Sequence, residues 1–456
     1  MQSGWIPSDI ADLQPLEVVT YAYSRRQVLS EKYKGIRLVI PAGGFKVRAN
    51  DSDYNYRPHS AFVYYSGVQG ADSTADAVLV MEPSGDSHIT YLYMNPRSTR
   101  DTDAFYRDSK YGELWVGRRF TLAEAKARYQ IDTHKLGELE NLLKDGKETL
   151  TLRDVDPKID PLVKKNDAEA EFAIFVSEQR LTKDLYEVDE LQRAVDATAQ
   201  GFNDVISAIP AAVETRRGER VLDAAFYGRA RILGNDLGYN TIVGAGAHAC
   251  VLHWIRNDGN VRKGELVLVD AGVEMESFYT ADITRTFPVN GKFSPAQRAL
   301  YMLVYESQLA GFAAIKPGVL FSEINKACQE VLAKGLADMG VLTVSAEESL
   351  KPEVGLHRRW TLHGVSHHLG LDVHDCSEAR KEMYLDAPLR EGMVLTVEPG
   401  LYIQPDDELF APEYRGIGIR IEDDVMVTAD GCRNLSENIP RHPDEIEKWM
   451  KAILGR

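Results

Sequence analysis

Two stretches of the chain are near copies of each other, and each leads into a carboxylate. Residues 262–272 and residues 390–400 both read Arg, any residue, Gly, any residue, a short and mainly apolar run, Val, an acid, any residue, Gly. Runs of this kind are typical of buried strands, and a buried strand should not carry an unpaired acid. The duplication therefore predicts that Asp270 and Glu398 belong to a metal site at the junction of two related halves.

A further acid follows the first copy. The polar residues around Glu276 predict the turn of a β-hairpin. A hairpin symmetric about Glu276 sets Asp270 opposite Asp282, where cross-strand side chains come within about 5 Å of each other.

The second copy has the same arrangement. An acidic, proline-containing loop covers residues 404–414, and the midpoint between Glu398 and Glu422 falls inside it. A second hairpin is therefore expected, so that the two hairpins together offer four carboxylates.

Histidine is the expected remaining ligand type, because four carboxylates in one pocket cannot all ionise without cations. Two divalent ions would balance them. Residues 362–374 are the densest histidine stretch, and His363 and His367 have the spacing of a helical zinc pair. The glycines and valines of this stretch favour a strand or loop instead, and no Glu follows His363, so the helical metalloprotease motif fails.

Length and composition indicate a globular protein of two domains. A chain of 456 residues is too long for one ordinary core. The net charge of −16 argues against nucleic acid or an anionic membrane as partner. No apolar run reaches the roughly 20 residues of a membrane span, and the start shows no signal peptide. Four widely separated cysteines are expected as free thiols of a cytoplasmic protein.

The first domain is predicted at residues 1–170 as an α/β domain. Its expected strands lie at residues 37–41, 61–65 and 77–81, and its expected helices at residues 121–129 and 134–143. The charged stretch at residues 163–171 is either a linker or the start of a connecting helix.

The catalytic domain is predicted at residues 171–456. Expected helices lie at residues 188–209, 218–237 and 321–339, the last two at matching positions in the two halves. The predicted fold is α+β, with duplicated antiparallel hairpins backed by paired helices.

The dispersed motifs resemble those of the pita-bread metallopeptidases. The segments that carry the resemblance are residues 269–272, 281–287, 363–367, 396–400 and 420–423. Within that family, residues 239–246, 287–293 and 414–420 are most similar to aminopeptidase P. The resemblance implies the pita-bread fold for the second domain. All five presumed metal ligands are present, which argues against the metal-free creatinase branch.

The expected ligand set holds two metal ions. Asp282 and Glu422 would bridge ions about 3.5–4 Å apart. Asp270 would complete one ion, and His367 and Glu398 the other. Oxygen-rich ligation with one imidazole suits manganese, with cobalt or zinc as alternatives. A water between two cations ionises near neutral pH and attacks the peptide carbonyl, and the resemblance implies Glu398 as general base.

Other residues are assigned to catalysis and substrate binding. The resemblance implies that His253, His363 and His374 contact the substrate and the transition state, with His374 steadying the oxyanion or the leaving group. Arg420 lies on the same strand face as Glu422 and is expected to orient Glu422 or Asp270.

Three positions carry open alternatives. Tyr402 either packs in the core or joins the Arg420 network. Trp115 matches a family segment that lines the substrate pocket and is expected to reach a neighbouring subunit of a homo-oligomer, a dimer or tetramer; an exposed or core tryptophan is the alternative. Asp51 is expected to meet Arg420, with a solvated surface residue as the alternative.

The resemblance implies that the protein removes the first residue of peptides with proline second. The Xaa-Pro bond lacks an N–H, and the proline ring has a fixed shape that a dedicated pocket can use. Prolidase, which accepts only Xaa-Pro dipeptides, is the close alternative, although residues 414–420 favour aminopeptidase P. A non-catalytic binding protein of the same fold is the second alternative.

Overall fold

The computed structural model describes residues 4–6 and 8–455. The chain forms two compact units, Met1–Ser177 and Glu178–Arg456. The predicted boundary after residue 170 falls inside the helix Glu169–Gln179, and the charged stretch at residues 163–171 leads into that helix.

Helices and a mixed sheet make up the amino-terminal unit. The helices are α1 (Val18–Lys32), α2 (Ser60–Ser66), α3 (Asp103–Arg107), α4 (Glu113–Val116), α5 (Leu122–Tyr129), α6 (Leu139–Leu143) and α7 (Glu169–Gln179). The strands are β1 (Arg37–Pro41), β2 (Val47–Ala49), β3 (Ser52–Asp53), β4 (Val78–Ser84), β5 (Ser87–Met94), β6 (Asp132–Lys135) and β7 (Thr149–Thr151). Five strands form a sheet in the order β6-β5-β4-β1-β7, in which β1 runs parallel to β7 and β5 to β6.

The strand predicted at residues 61–65 is wrong, because this segment forms α2. The His59 side chain caps the start of the helix, and Gly67 ends it with a φ of 72°. Every residue of α2 is buried. The run from Ala61 to Tyr65 is apolar or aromatic at each position, so it shows no period that separates helix from strand.

The helix predicted at residues 134–143 is also wrong over its first part. His134 lies in β6 and pairs with Tyr93 of β5, and the α-helix begins only at Leu139. A short 3₁₀ turn, Leu136–Glu138, joins the two. The leucine spacing is helical, but the start of the segment is used as a sheet edge. The predicted helix at residues 121–129 is confirmed as α5, with Thr121 in a capping box.

The second unit has more helices and several short sheets. Its helices are α8 (Leu185–Glu214), α9 (Gly218–Leu233), α10 (Pro295–Ala314), α11 (Ser322–Asp338), α12 (Ala346–Ser349) and α13 (Pro443–Leu454). Its strands are β8 (Asp236–Leu237), β9 (Ile242–Ala245), β10 (Leu266–Ala271), β11 (Val273–Glu274), β12 (Ile283–Pro288), β13 (Val394–Val397), β14 (Gly400–Ile403), β15 (Ile417–Arg420), β16 (Asp423–Val427) and β17 (Cys432–Asn434).

The duplicated α+β architecture is confirmed. Each half supplies a packed helix pair, α8 with α9 and α10 with α11, followed by antiparallel strands. The helix predicted at residues 218–237 ends at Leu233. A Cβ at Gly234 would lie 2.4 Å from the Glu274 carbonyl oxygen, so the chain turns there to approach β11 closely.

The first hairpin differs from the prediction in register. Asp270 pairs with Thr284, not Asp282. The turn closes one residue later than expected, through a hydrogen bond of 2.8 Å from the Phe278 N–H to the Met275 carbonyl. Because side chains alternate along a strand, Asp282 stays on the same face as Thr284.

The second hairpin has the predicted register. Gly400 pairs with Arg420 in β14 and β15, and Val397 pairs with Asp423 in β13 and β16. This register sets Glu398 level with Glu422, and the loop at residues 404–414 lies between the paired strands.

The cysteines and helices bear on two further expectations. Cys250, Cys328, Cys376 and Cys432 carry free thiols, as their separation predicted. Among the described helices, none has the length and apolar character needed to cross a membrane.

Candidate functional site

The predicted site residues of the second unit converge on one cavity of about 630 Å³. Its lining includes both duplicated acids and the histidine-rich segment. The predicted residues that line it are Asp270, Asp282, His367, Glu398, Glu422, His253, His363, His374 and Arg420.

Strand ends position the four acids. Asp270 lies near the end of β10, and Asp282 immediately precedes β12. Glu398 lies between β13 and β14, and Glu422 lies between β15 and β16. All four are largely shielded from solvent, with Glu422 only 1% exposed. Each half therefore contributes two acids to one concave surface.

Backbone pairing along β13 places His367. The Thr396 N–H donates to the His367 carbonyl at 3.0 Å, and the Glu398 N–H donates to the Val365 carbonyl at 2.8 Å. The segment is extended and irregular, which agrees with the expected strand or loop. His367 Nε2 lies 3.2 Å from Asp282 Oδ2 and 3.7 Å from Glu398 Oε1.

The donor atoms fit divalent cations. Ligand atoms of Asp282, His367 and Glu422 all lie within 4.8 Å of one another. Burial raises the pKa of Glu398 to about 8 and raises that of Glu422 well above its usual value, with the neighbouring acids adding to both shifts. A cluster of carboxylates that resists ionisation in the protein alone is the arrangement that bound cations would stabilise.

We expect the metal-free protein to lose stability as the pH rises from about 5 to 9. The pKa of Glu398 is raised from 4.5 to about 8 by burial. Although burial opposes it, the hydrogen bond to Asp282 raises the pKa of His367 from 6.5 to about 9. Both groups hold protons more tightly in the folded state, so their stabilising contribution is full at low pH and is lost as the pH passes these values.

Thermal unfolding of chelator-treated protein across this pH range measures the effect. Glu398→Gln, which cannot titrate, should show a shallower pH dependence than the wild type. An identical dependence in both proteins would contradict the assignment to Glu398.

Arg420 organises the wall of the cavity. Its Nη2 pairs with Asp270 Oδ2, its Nε donates to Thr284 Oγ1 at 3.1 Å, and its Nη1 donates to Tyr402 Oη at 3.0 Å. Thr284 Oγ1 in turn donates to Glu422 Oε2 at 2.6 Å. Arg420 is therefore the direct counter-ion of Asp270 and reaches Glu422 through Thr284.

Tyr402 belongs to this network. It is not one of the described residues that line the cavity. Its hydroxyl lies 2.8 Å from His363 Nε2, and the side chain is 5% exposed. The structure shows both alternatives from the sequence, because the hydroxyl joins the network while the ring packs in a core cluster with Ile242 and Leu268.

Tyr239 was missed as a site residue. Its hydroxyl lies 2.6 Å from Asp270 Oδ1 and 2.5 Å from Asp282 Oδ1. A phenol has one hydrogen, so it satisfies one of these acids at a time and couples the two. The sequence signal was a tyrosine just ahead of the buried strand β9, where a hydroxyl needs a partner.

Asp424 was also missed. Its Oδ2 accepts a hydrogen bond of 3.1 Å from the Asp282 backbone N–H, and the side chain is fully buried. Burial raises its pKa well above the usual value. It fixes the backbone that carries Asp282, and the acidic run after Arg420 was the only hint of it.

Three histidines surround the acids. Burial lowers the pKa of His363 to about 4, so its imidazole is neutral, and Nδ1 lies 3.6 Å from Glu398 Oε2. The His374 ring lies edge-on to His367 with centroids 4.5 Å apart. His253 is solvent-exposed and lines the same cavity.

Two predicted residues lie in the amino-terminal unit. Trp115 is 59% exposed, and its Nε1 donates to the Tyr106 carbonyl at 2.9 Å. Asp51 is exposed. Their expected roles in the substrate pocket stay predictions.

Sequence families match both units. Residues 189–429 match metallopeptidase family M24, and residues 21–152 match the aminopeptidase P N-terminal domain family. The chain is 49% identical over 459 residues to Xaa-Pro aminopeptidase 1 of Streptomyces coelicolor, an alignment that covers 100% of this chain and 92% of the relative.

The chain is also similar to solved structures of aminopeptidase P. A variant of Escherichia coli aminopeptidase P in complex with substrate has a TM-score of 0.84 and 32% identity, covering 98% of this chain and 100% of that one. The zinc-substituted E. coli enzyme in complex with product has a TM-score of 0.83 and 33% identity, covering 98% and 99% respectively.

Proposed function

The chain belongs to metallopeptidase family M24, and from that membership we propose that it is a Xaa-Pro aminopeptidase that releases the first residue of peptides with proline second. The protein is a hydrolase of the metallo-aminopeptidase type, and the family implies divalent metal ions. The observation that carries the proposal is the convergence of four carboxylates and the His367 imidazole on a single cavity at the junction of the duplicated halves.

The proposed metal centre holds two manganese ions, because the ligands are mainly oxygen. The ligands would be Asp270, Asp282, His367, Glu398 and Glu422. When bound, the ions would polarise the scissile carbonyl and lower the pKa of a coordinated water. Neither the number of ions nor their identity is fixed by family membership, and both are part of the proposal.

Glu398 is the proposed proton acceptor. Its backbone is fixed by the hydrogen bond to the Val365 carbonyl. Its carboxylate lies between two imidazoles, 3.7 Å from His367 Nε2 and 3.6 Å from His363 Nδ1. A carboxylate held at the cavity wall takes the proton from the attacking water and delivers it to the leaving nitrogen.

The histidines and Arg420 have supporting roles in the proposal. The His374 ring lies beside that of His367, and His374 would donate to the oxygen on which negative charge develops. His363 is held by Tyr402 through Nε2. Arg420 touches Asp270 and keeps that carboxylate oriented.

Apolar side chains of the same cavity suit a proline ring. Ile242, Leu252 and Val373 line the cavity together with His253. The Xaa-Pro amide has no N–H to donate, so recognition must come from the shape and apolar surface of the ring.

A peptide series tests the substrate class. With manganese added, we expect release of the first residue from Xaa-Pro-Xaa tripeptides and longer peptides, and little from Xaa-Ala-Xaa controls of equal length. Amino-acid analysis of the products identifies the bond cleaved. Activity confined to Xaa-Pro dipeptides would assign the protein to prolidase, and no cleavage with manganese or cobalt would favour a binding protein.

The assembly and location belong to the same proposal. A homo-oligomer in which Trp115 contributes to the pocket, a contact of Asp51 with Arg420 and a cytoplasmic location stay predictions. Light scattering measures the first directly, and a monomer would exclude a shared pocket.

A further inference from the structure

The amino-terminal unit contains a cavity of its own, about 570 Å³ in volume. It lies where α1, β5 and α5 meet. Arg26 of α1, Thr90 of β5 and Lys126 of α5 are among its lining residues. Every residue that lines it belongs to the amino-terminal unit, so it is distinct from the candidate metal site.

Arg26 is a buried cation without a carboxylate partner among the described residues. Its side chain is 4% exposed, and the hydrogen bond found for it runs from Nη1 to the Tyr65 carbonyl at 2.6 Å. A guanidinium carries five N–H donors. The side chain lines the cavity.

Two other arginines of this unit show what Arg26 lacks. Arg37, which is fully buried, pairs with Glu82 and Asp145. Arg153 binds Glu169 through two nitrogens. Arg37 and Arg153 are therefore each paired with a carboxylate, and Arg26 departs from that arrangement.

Arg119 shows the second way in which this unit satisfies an arginine. Without a carboxylate hydrogen bond, it donates to three backbone carbonyls, those of Asn95, Tyr111 and Pro96. Among the described residues, the acceptor found for Arg26 is the Tyr65 carbonyl. Within this part of the chain it thus has neither a counter-ion nor a full set of acceptors.

An unpaired buried charge is costly, because removal from water is not offset by an opposite charge. The pKa of Arg26 shows the same imbalance: burial lowers it to about 10, and only the ring of Tyr23 opposes that shift. The guanidinium is still charged at neutral pH. A negatively charged ligand in the cavity would restore the balance.

The rest of the lining is compatible with an anion. Asp132 is the one acid among the lining residues, and it pairs with Lys126. Ser87 and Thr90 add hydroxyl groups. His88 contributes no free donor, because Nδ1 contacts Ser30 Oγ at 2.8 Å and Nε2 contacts the Ile36 carbonyl at 2.8 Å.

We propose that this cavity binds one small oxyanion per chain, a carboxylate or a phosphate, with Arg26 as its buried partner. The planar guanidinium offers paired N–H donors that match two oxygens of either group. Lys126 lies at the mouth, with its side chain 63% exposed, and offsets the charge of Asp132.

Equilibrium dialysis of the full-length protein with labelled inorganic phosphate, and separately with labelled acetate, tests the proposal. We expect Arg26→Gln to lower the bound anion by one per chain for at least one of the two probes, and the probe affected identifies the class of ligand. Glutamine keeps a polar amide donor while removing the charge. Anion bound at the metal centre cancels in the difference between the two proteins.

Two further variants keep the test decisive. Thr90→Glu adds a carboxylate to the cavity lining and should displace the anion even if Arg26→Gln fails to fold. Arg48→Gln removes the same charge from an exposed site of β2 and should bind as the wild type does. The proposal would be overturned if folded Arg26→Gln or Thr90→Glu bound as many anions per chain as the wild type. It would also be overturned if neither probe bound saturably to the wild type.

Discussion

Glu398→Gln is expected to lower turnover of an Xaa-Pro-Xaa peptide by about 10²–10⁴-fold while the fold is retained. Glutamine keeps the shape of the side chain but cannot accept a proton, and it offers one oxygen instead of two to a cation. The side chain lies 3.7 Å from His367 Nε2 at the cavity wall, so the change acts where the reacting atoms would lie. Initial rates at saturating manganese and substrate measure it.

Glu391→Gln is the matched control. This residue is exposed in the loop that precedes β13, so the same substitution there should leave turnover unchanged. Wild-type turnover in metal-saturated Glu398→Gln would exclude Glu398 both as proton acceptor and as essential ligand.

Arg285→Met should lower the free energy of unfolding by about 3–5 kcal/mol, the usual cost of leaving a buried charge without its partner. Arg285 and Asp423 are both fully buried and 2.7 Å apart. Arg285 also donates to the Glu422 carbonyl at 2.6 Å. Methionine fills part of the space but leaves Asp423 without this partner.

Urea unfolding, followed by circular dichroism, gives the change for Arg285→Met. Arg298→Met serves as comparison, because Arg298 is 36% exposed in its pair with Asp444, and such surface pairs contribute about 0–1 kcal/mol. Equal losses of unfolding free energy in the two variants would show that the buried Arg285–Asp423 pair stabilises the protein no more than the surface pair does.

The duplicated strands were the most predictable part of the molecule. Buried strands need an unbroken apolar run, so β10 and β13 were visible in the sequence, and their acids stood out against it. The register of the second hairpin followed from the positions of Glu398 and Glu422 alone. The register of the first hairpin differs from the prediction because the backbone of Phe278 is left-handed, with a φ of 69°. Phenylalanine rarely adopts this conformation, so nothing in the sequence indicated it.

What sequence reasoning missed depends on contacts between distant segments. Tyr239 couples two acids from another hairpin, and Asp424 holds the backbone of Asp282. Neither contact leaves a recognisable pattern in the neighbouring sequence. The same holds for α2, whose burial on every side removes the period that would identify it, and for Arg26, whose isolation from carboxylates is a property of the packed unit.

The division of the candidate site between the two halves determines when it can form during folding. Its cross-links join residues far apart in the chain, 138 residues for Thr284 with Glu422 and 150 for Asp270 with Arg420. Contacts of such sequence separation form late, because long loops must close before they bring any gain. Metal ions therefore cannot nucleate this fold as zinc does in small finger domains. Instead, only chains in which both halves have already docked should bind the ions with high affinity.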